Sequence, residues 1–217
     1  MPEQATGLRD RILDTALEQA EASSWERLHL HRVAEALDIT LDEVRQHFRQ
    51  KDDLTEAWFD RADRAMLATQ RSAGFRYRPL HERLQQVVTD WLAVLAPHRR
   101  LTREMLAYKL EPGHLHLQVP GLLRISRTVQ WFREAAGQDS TGLRRILDET
   151  ALTAIYLAAF TRWLFDDTAE GVRSRKYLDA ALRRCFGRDA TAAATSRAPD
   201  ATPAAPELSG PADTEPA

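Results

Sequence analysis

The side chains with the clearest chemical potential lie between residues 28 and 54, LHLHRVAEALDITLDEVRQHFRQKDDL. Leu30, Val33, Ala34 and Leu37 recur at helical spacing, Ile39 fills a turn, and Val44 with Phe48 forms an i, i+4 pair. Two short helices crossing at a tight turn are the layout of a helix-turn-helix, whose chemistry is hydrogen bonding to DNA. A second constellation, His114 and His116 beside Glu111, sets two imidazoles on one face of an extended segment and could ligate a metal. No further local cluster completes such a site, a polar loop capping a helix is the plainer reading, and no metal is expected. A third constellation is aromatic. Trp91, Tyr108, Trp131, Phe132, Tyr156, Phe160 and Trp163 could line an apolar cavity, although aromatics at helical spacing more often form plain core. Tyr108 and Trp131 are the better cavity candidates because both lie near the loop EPGHLHLQVPG, and Trp91 is kept with them.

Other chemistries lack their signatures. There is no nucleophile elbow, no Gly-rich phosphate loop, no helical zinc motif and no carboxylate pair at a telling spacing, so neither an enzyme nor a cofactor is expected. The single Cys185 cannot close an intramolecular disulfide or build a thiolate metal site, and reads as a small, partly buried apolar residue. No basic segment leads into an apolar run, and no stretch approaches the ~20 apolar residues that span a bilayer, which places the protein in the cytoplasm.

Positioning these groups falls to helices. Leu8, Ile12, Leu13, Ala16, Leu17 and Ala20 form one stripe of a long first helix, the third wall of a small head. A connector runs from about Asp52 to Gln70, and further helical stripes cover 80–95 and 101–110, with breaks at Pro79, Pro97 and Pro112-Gly113. HLHLQV at 114–119 alternates like a strand, but its length and flanking turns favour a loop. Leu122 to Ala136 reads as helix, Gly137 and Gly142 bracket a turn, and a helix resumes at Leu143. Residues 150–165, apolar or small on nearly every face, suit a central helix contacted on two sides, one of them by another subunit. A final helix carries Val172, Leu178 and Leu182. Beyond Arg188 the Ala-, Thr-, Ser- and Pro-rich chain should be disordered. The expected fold is therefore all-α, with an N-terminal arm over 1–6, a helix-turn-helix head over 7–53, a larger helical body over 54–187 and a tail over 188–217.

Charge is unevenly spread along the 217 residues, whose formal net charge is −2. Residues 1–70 hold 9 Lys and Arg against 15 Asp and Glu, whereas residues 71–187 hold 19 against 12. An acidic head opposes phosphate binding, since Lys and Arg supply most of the non-specific affinity for DNA.

From about Gly7 to Asp60 the chain resembles the TetR family of one-component transcriptional repressors. RDRILDTALEQAEASSW looks like that family's first helix, HRVAEALDI like its second, and TLDEVRQHFRQKDDL like its recognition helix leading into the fourth. The resemblance implies that the helix from about Leu41 to Phe48 enters the major groove of double-stranded operator DNA. Leu41, Asp42, Arg45 and Gln46 would then read bases, Arg45 being able to grip a guanine through two hydrogen bonds. Thr40 would cap the helix and reach a phosphate, Lys51 matches a phosphate-contacting lysine, and His47 and Arg49 would add backbone contacts. His29 and His31 suit hydrogen bonding or phosphate contact better than metal. The resemblance also implies a homodimer built on the penultimate helix and a small apolar or amphipathic effector in the body. Asp38 replaces the usual turn glycine, Leu41 and Glu43 replace Lys and Thr, Arg45 and His47 replace two tyrosines, and the second helix begins near His29 instead of a Ser or Thr. Asp42 and Glu43 suit a helix N-terminus but repel phosphate. The alternative is a protein of the same fold that carries a lipid or isoprenoid without binding DNA, like a ubiquinone-biosynthesis accessory protein.

Overall fold

Two prolines mark helix boundaries in the body. The computed structural model describes residues 7–111 and 115–187, with no strand among them. The head comprises α1 (Leu8–Ala22), α2 (Leu30–Leu37) and α3 (Leu41–His47). Then come α4 (Lys51–Ala68), α5 (Leu80–Leu95), α6 (Arg99–Leu110), α7 (Leu115–Ala136), α8 (Gly142–Leu164) and α9 (Val172–Phe186). Pro79 stands at the N-cap of α5, where its missing N–H costs nothing, and Pro97 lies in the 3-10 turn Ala96–His98 that parts α5 from α6. The N-terminal arm over 1–6, His114 of the candidate metal pair and the tail over 188–217 lie outside the described residues.

In the head, Ile12, Leu13, Ala16 and Leu17 of α1 meet Val33 and Ala34 of α2 and Val44 of α3, all buried. The core continues without a break through Leu54, Trp58, Ala62 and Met66 of α4 into the body, so α4 belongs to both halves. It packs on α1 at one end and on α5 and α7 at the other. At about 25 cal/mol per Å² of apolar surface, continuous burial of this kind makes α4 a stiff link between them.

One expectation from the sequence is overturned. Residues 115–119 are not a loop but the first turns of α7. Leu115, Val119 and Leu122 fit helical spacing as well as alternation, and an alternation this short does not decide between them. The helix expected to resume at Leu143 and the central helix expected over 150–165 are one continuous helix, α8, as helical spacing through both allows. Its inner side, including Leu152, Ile155, Tyr156 and Phe160, is buried, while Leu143, Ile146 and Leu147 face outward. Among the described residues no helix is long and apolar enough to cross a membrane.

Candidate DNA interface and ligand cavity

α3 is built to hold one face still and present the other. Thr40 caps it: its hydroxyl oxygen accepts from the Glu43 N–H at 3.2 Å, while Glu43 Oε2 accepts from the Thr40 N–H at 2.8 Å. These hydrogen bonds hold the Glu43 carboxyl below its ordinary range. Val44 and Phe48 anchor the helix in the head core, with the Arg9 guanidinium 5.1 Å from the Phe48 ring centre. The opposite face is exposed at Leu41, Asp42, Arg45, Gln46 and His47. Gln46 donates to Asp42 at 3.2 Å, whereas the side chains of Arg45, His47 and Arg49 have no partner among the described residues.

The turn before α3 accommodates its non-glycine residue. Asp38 ends α2 in the left-handed region, at φ 53° and ψ 46°, and its N–H and that of Ile39 close on Glu35 and Ala34 carbonyls at 3.2 and 3.1 Å. Asp tolerates this conformation better than most side chains, so the turn keeps its shape without glycine.

Lys51, expected at a phosphate, is turned inward instead. Its Nζ donates to the Glu26 carbonyl at 3.1 Å and lies 5.1 Å from the Trp25 ring centre and 5.3 Å from that of Tyr108 on α6. Burial pushes its ammonium pKa down. Lys109, next to Tyr108, bonds Asp52 at 3.1 Å and Glu56 at 2.6 Å. One turn of α6 therefore grips the first turn of α4.

That grip is one of several contacts between the first 70 residues and the body. Glu21 pairs with Arg100 at 2.9 Å and with His98 at 3.3 Å, and the Trp25 N–H donates to Glu104 at 2.8 Å. Arg124 of α7 bonds Asp60 at 2.5 Å, Asp63 at 2.9 Å and Glu56 at 3.2 Å. Five of the fifteen acids in residues 1–70, Glu21, Asp52, Glu56, Asp60 and Asp63, thus meet cations of the body, three of them beyond the head proper. Arg124 and Asp63 are buried, and the Asp63 carboxyl is pushed up by burial against the pull of Arg124.

Inside the body lies a cavity of about 560 Å³, in the size range of small-molecule sites. Phe59, Trp91, Tyr156 and Phe160 form an aromatic wall, with Trp91 meeting Tyr156 and Phe160 edge-on at 5.6 and 5.3 Å. The Trp91 N–H is satisfied by Asp63 at 2.7 Å. Burial pushes the Tyr156 phenol up.

No family model matches the chain, and no curated protein matches it. Among solved structures, the TetR transcriptional regulator from Nitrosomonas europaea is 42% identical, with 83% of this chain and 98% of that chain covered and a TM-score of 0.74. The chain belongs to the TetR family. A bacterial regulatory protein in the tetR family from Rhodococcus RHA1 is 22% identical over 81% of this chain and 95% of that one, at a TM-score of 0.44, and carries no part of this assignment.

Of the three aromatics expected at the ligand site of this TetR-family regulator, the structure places only Trp91 on the cavity. Tyr108 turns to Lys51, and Trp131 is 43% exposed on the outside of α7. Proximity to a loop was a poor guide, because helix rotation and not chain position decides which side of α6 or α7 faces inward. The polar members Glu56, Lys109 and Arg124 escaped notice. Their signal was present in α4, where Asp52, Glu56, Asp60 and Asp63 fall on one stripe at helical spacing.

Proposed function

We propose that this TetR-family protein is a homodimeric regulator in which α3 of each protomer enters a major groove and an apolar or amphipathic ligand in the body cavity releases it. Residues 7–53 would form the DNA-binding unit and 54–187 the ligand-binding and dimerisation unit, with the boundary inside the first turn of α4. One observation carries the reading: Arg45 stands exposed and unpaired on a helix whose other face is locked by Val44 and Phe48. Arg45, Gln46, Leu41 and Asp42 would read bases, while Thr40, His47 and Arg49 would touch the backbone. Lys51 would join them only after leaving Trp25 and Tyr108. The apolar outward residues Leu143, Ile146 and Leu147 of α8 support pairing of two protomers.

A mobility-shift or anisotropy titration against DNA from upstream of the protein's own gene tests this. Binding that weakens steeply with salt is expected; absence of binding at 50 mM salt would defeat the reading. The lipid-carrier alternative draws support from one feature, the inward turn of Lys51, and predicts co-purified isoprenoid or acyl lipid in native mass spectra together with no DNA binding.

A further inference from the structure

Among the described residues the charged side chains on the cavity are unbalanced: Arg103, Lys109 and Arg124 line it, against Glu56. The acids that compensate them, Asp52, Asp60 and Asp63, belong to α4 and do not line it. Lys109 and Arg124 have side chains only 8% exposed, and the buried Nε of Arg124 has no partner among the described residues. Glu56 already accepts from Lys109 at 2.6 Å and Arg124 at 3.2 Å, and Arg127 adds a third cation at 3.5 Å. A cationic head group entering here would meet three cations and one fully engaged carboxylate. A neutral apolar molecule would fill the aromatic wall but gain nothing from the charged end. An anionic head would instead meet two buried cations, Lys109 and Arg124, the latter with an unpartnered Nε, and charge-assisted pairing of this kind lets a charge tolerate desolvation.

We infer that the effector is an amphipathic anion, an apolar body bearing one carboxylate-like head, and that its head draws Lys109 and Arg124 away from the α4 carboxylates. The inference rests on the cavity being the effector site. Its regulatory consequence follows from the position of Lys109, which ties Asp52 in the first turn of α4 directly to a cavity wall. Loss of that tie leaves Asp52, half-buried beside Glu56 and Asp53, without its cation, which destabilises the first turn of α4. Tyr108, one residue earlier, covers Lys51, and α3 ends four residues before α4 begins. A head group in the cavity therefore loosens the segment that positions the DNA-facing helix.

The test uses the full-length protein and three probes with the same twelve-carbon body, dodecanoate, 1-dodecanol and dodecylamine, each below its micelle concentration. Binding is followed by calorimetry and by tryptophan fluorescence. Dodecanoate is expected to bind at least tenfold more tightly than either other probe. Lys109→Met should bring dodecanoate down to the affinity of the alcohol and leave the alcohol unchanged, whereas Glu56→Gln, which removes the competing carboxylate, should tighten dodecanoate about threefold. Amide hydrogen exchange over residues 51–56 should quicken with dodecanoate and not with dodecanol. Equal affinities for the three heads, or a loss in Lys109→Met shared by all three, overturn the anion inference while leaving the cavity as an effector site. No binding by any probe overturns the cavity reading itself. Tight dodecanoate binding with unchanged exchange at 51–56 overturns the coupling to α4.

Discussion

Arg45 and Lys51 sit six residues apart in a DNA-reading motif, yet the structure gives them different duties. Arg45 is free of protein contacts, so Arg45→Ala should leave thermal unfolding unchanged while costing about 1 to 3 kcal/mol on the preferred DNA site, with one base preference relaxed. Lys51 is held by a carbonyl and two aromatic faces, so Lys51→Ala should lower the melting temperature as well, with a loss of stability on the order of 1 kcal/mol. Parallel titrations and thermal melts of the two variants check this split; an unaltered melt for Lys51→Ala would contradict it. The identities at these positions were legible in the chain. The inward turn of Lys51 was not, because Tyr108, which helps cover it, comes from a helix distant in sequence. Asp38 shows the reverse. It stands where the family usually has glycine, and the backbone takes the left-handed form there all the same. Asp38→Gly should therefore be nearly neutral in stability, whereas Asp38→Val, with a branched Cβ in that region, should cost about 1 to 2 kcal/mol or more in denaturant titrations.

At the scale of elements, helical stripes made α1 to α6 readable, since apolar periodicity alone fixes which face turns inward. The sequence places the start of α7 too late because Pro120 and Gly121 near its start imitate a loop, whereas the resumption of helix at Leu143 matches the start of α8 at Gly142. The joint between α8 and α9 carries its own device. Asp166 accepts from the Ser174 N–H at 2.8 Å, the Ser174 hydroxyl at 2.6 Å and the Thr168 hydroxyl at 2.5 Å, and so caps α9 from outside the helix. Gly171 is needed here, being at φ 66° with the Trp163 ring 3.3 Å from where a Cβ would stand. The hydrogen bonds from Ser174 and Thr168 hold the Asp166 carboxyl well below the usual carboxylate range. The native state thus prefers the ionised form, a contribution present above the unfolded value of about 3.9 and lost as pH falls through the native one. Buried Asp63 and Asp52 act in the opposite sense: their raised values favour the protonated native form, a contribution lost as pH rises through them. Asp166→Asn should accordingly lower stability at pH 7 by about 1 kcal/mol, and its deficit against the parent should shrink as melts are repeated below pH 4. A deficit independent of pH would show that the charge on Asp166 does not matter.

For the molecule as a whole, the acidic head and basic body looked in the sequence like an obstacle to DNA binding. In the fold a third of the fifteen acids in residues 1–70 face the body, with Glu21, Asp52, Glu56, Asp60 and Asp63 engaged by Arg100, Lys109, Arg124 and Arg127. Counting charges along a chain cannot show this, because it omits which of them face each other. Leu143 is 80% and Leu147 68% exposed on α8, which is costly for a lone protomer and suits an interface related by two-fold symmetry. Leu147→Glu should shift sedimentation from dimer to monomer and abolish tight DNA binding, since two heads about 34 Å apart are needed to occupy successive major grooves. A Leu147→Glu protein that remains dimeric would move the interface elsewhere.

The most direct measurement is fluorescence anisotropy of the full-length protein against a labelled duplex from its own promoter region, at 50 and at 200 mM salt. The expected result is saturable binding at the lower salt that weakens by at least tenfold at the higher, with preference over a scrambled duplex that disappears in Arg45→Ala. Equal affinity of parent and Arg45→Ala for both duplexes, or no rise in anisotropy at 50 mM, would contradict a DNA-reading role for α3.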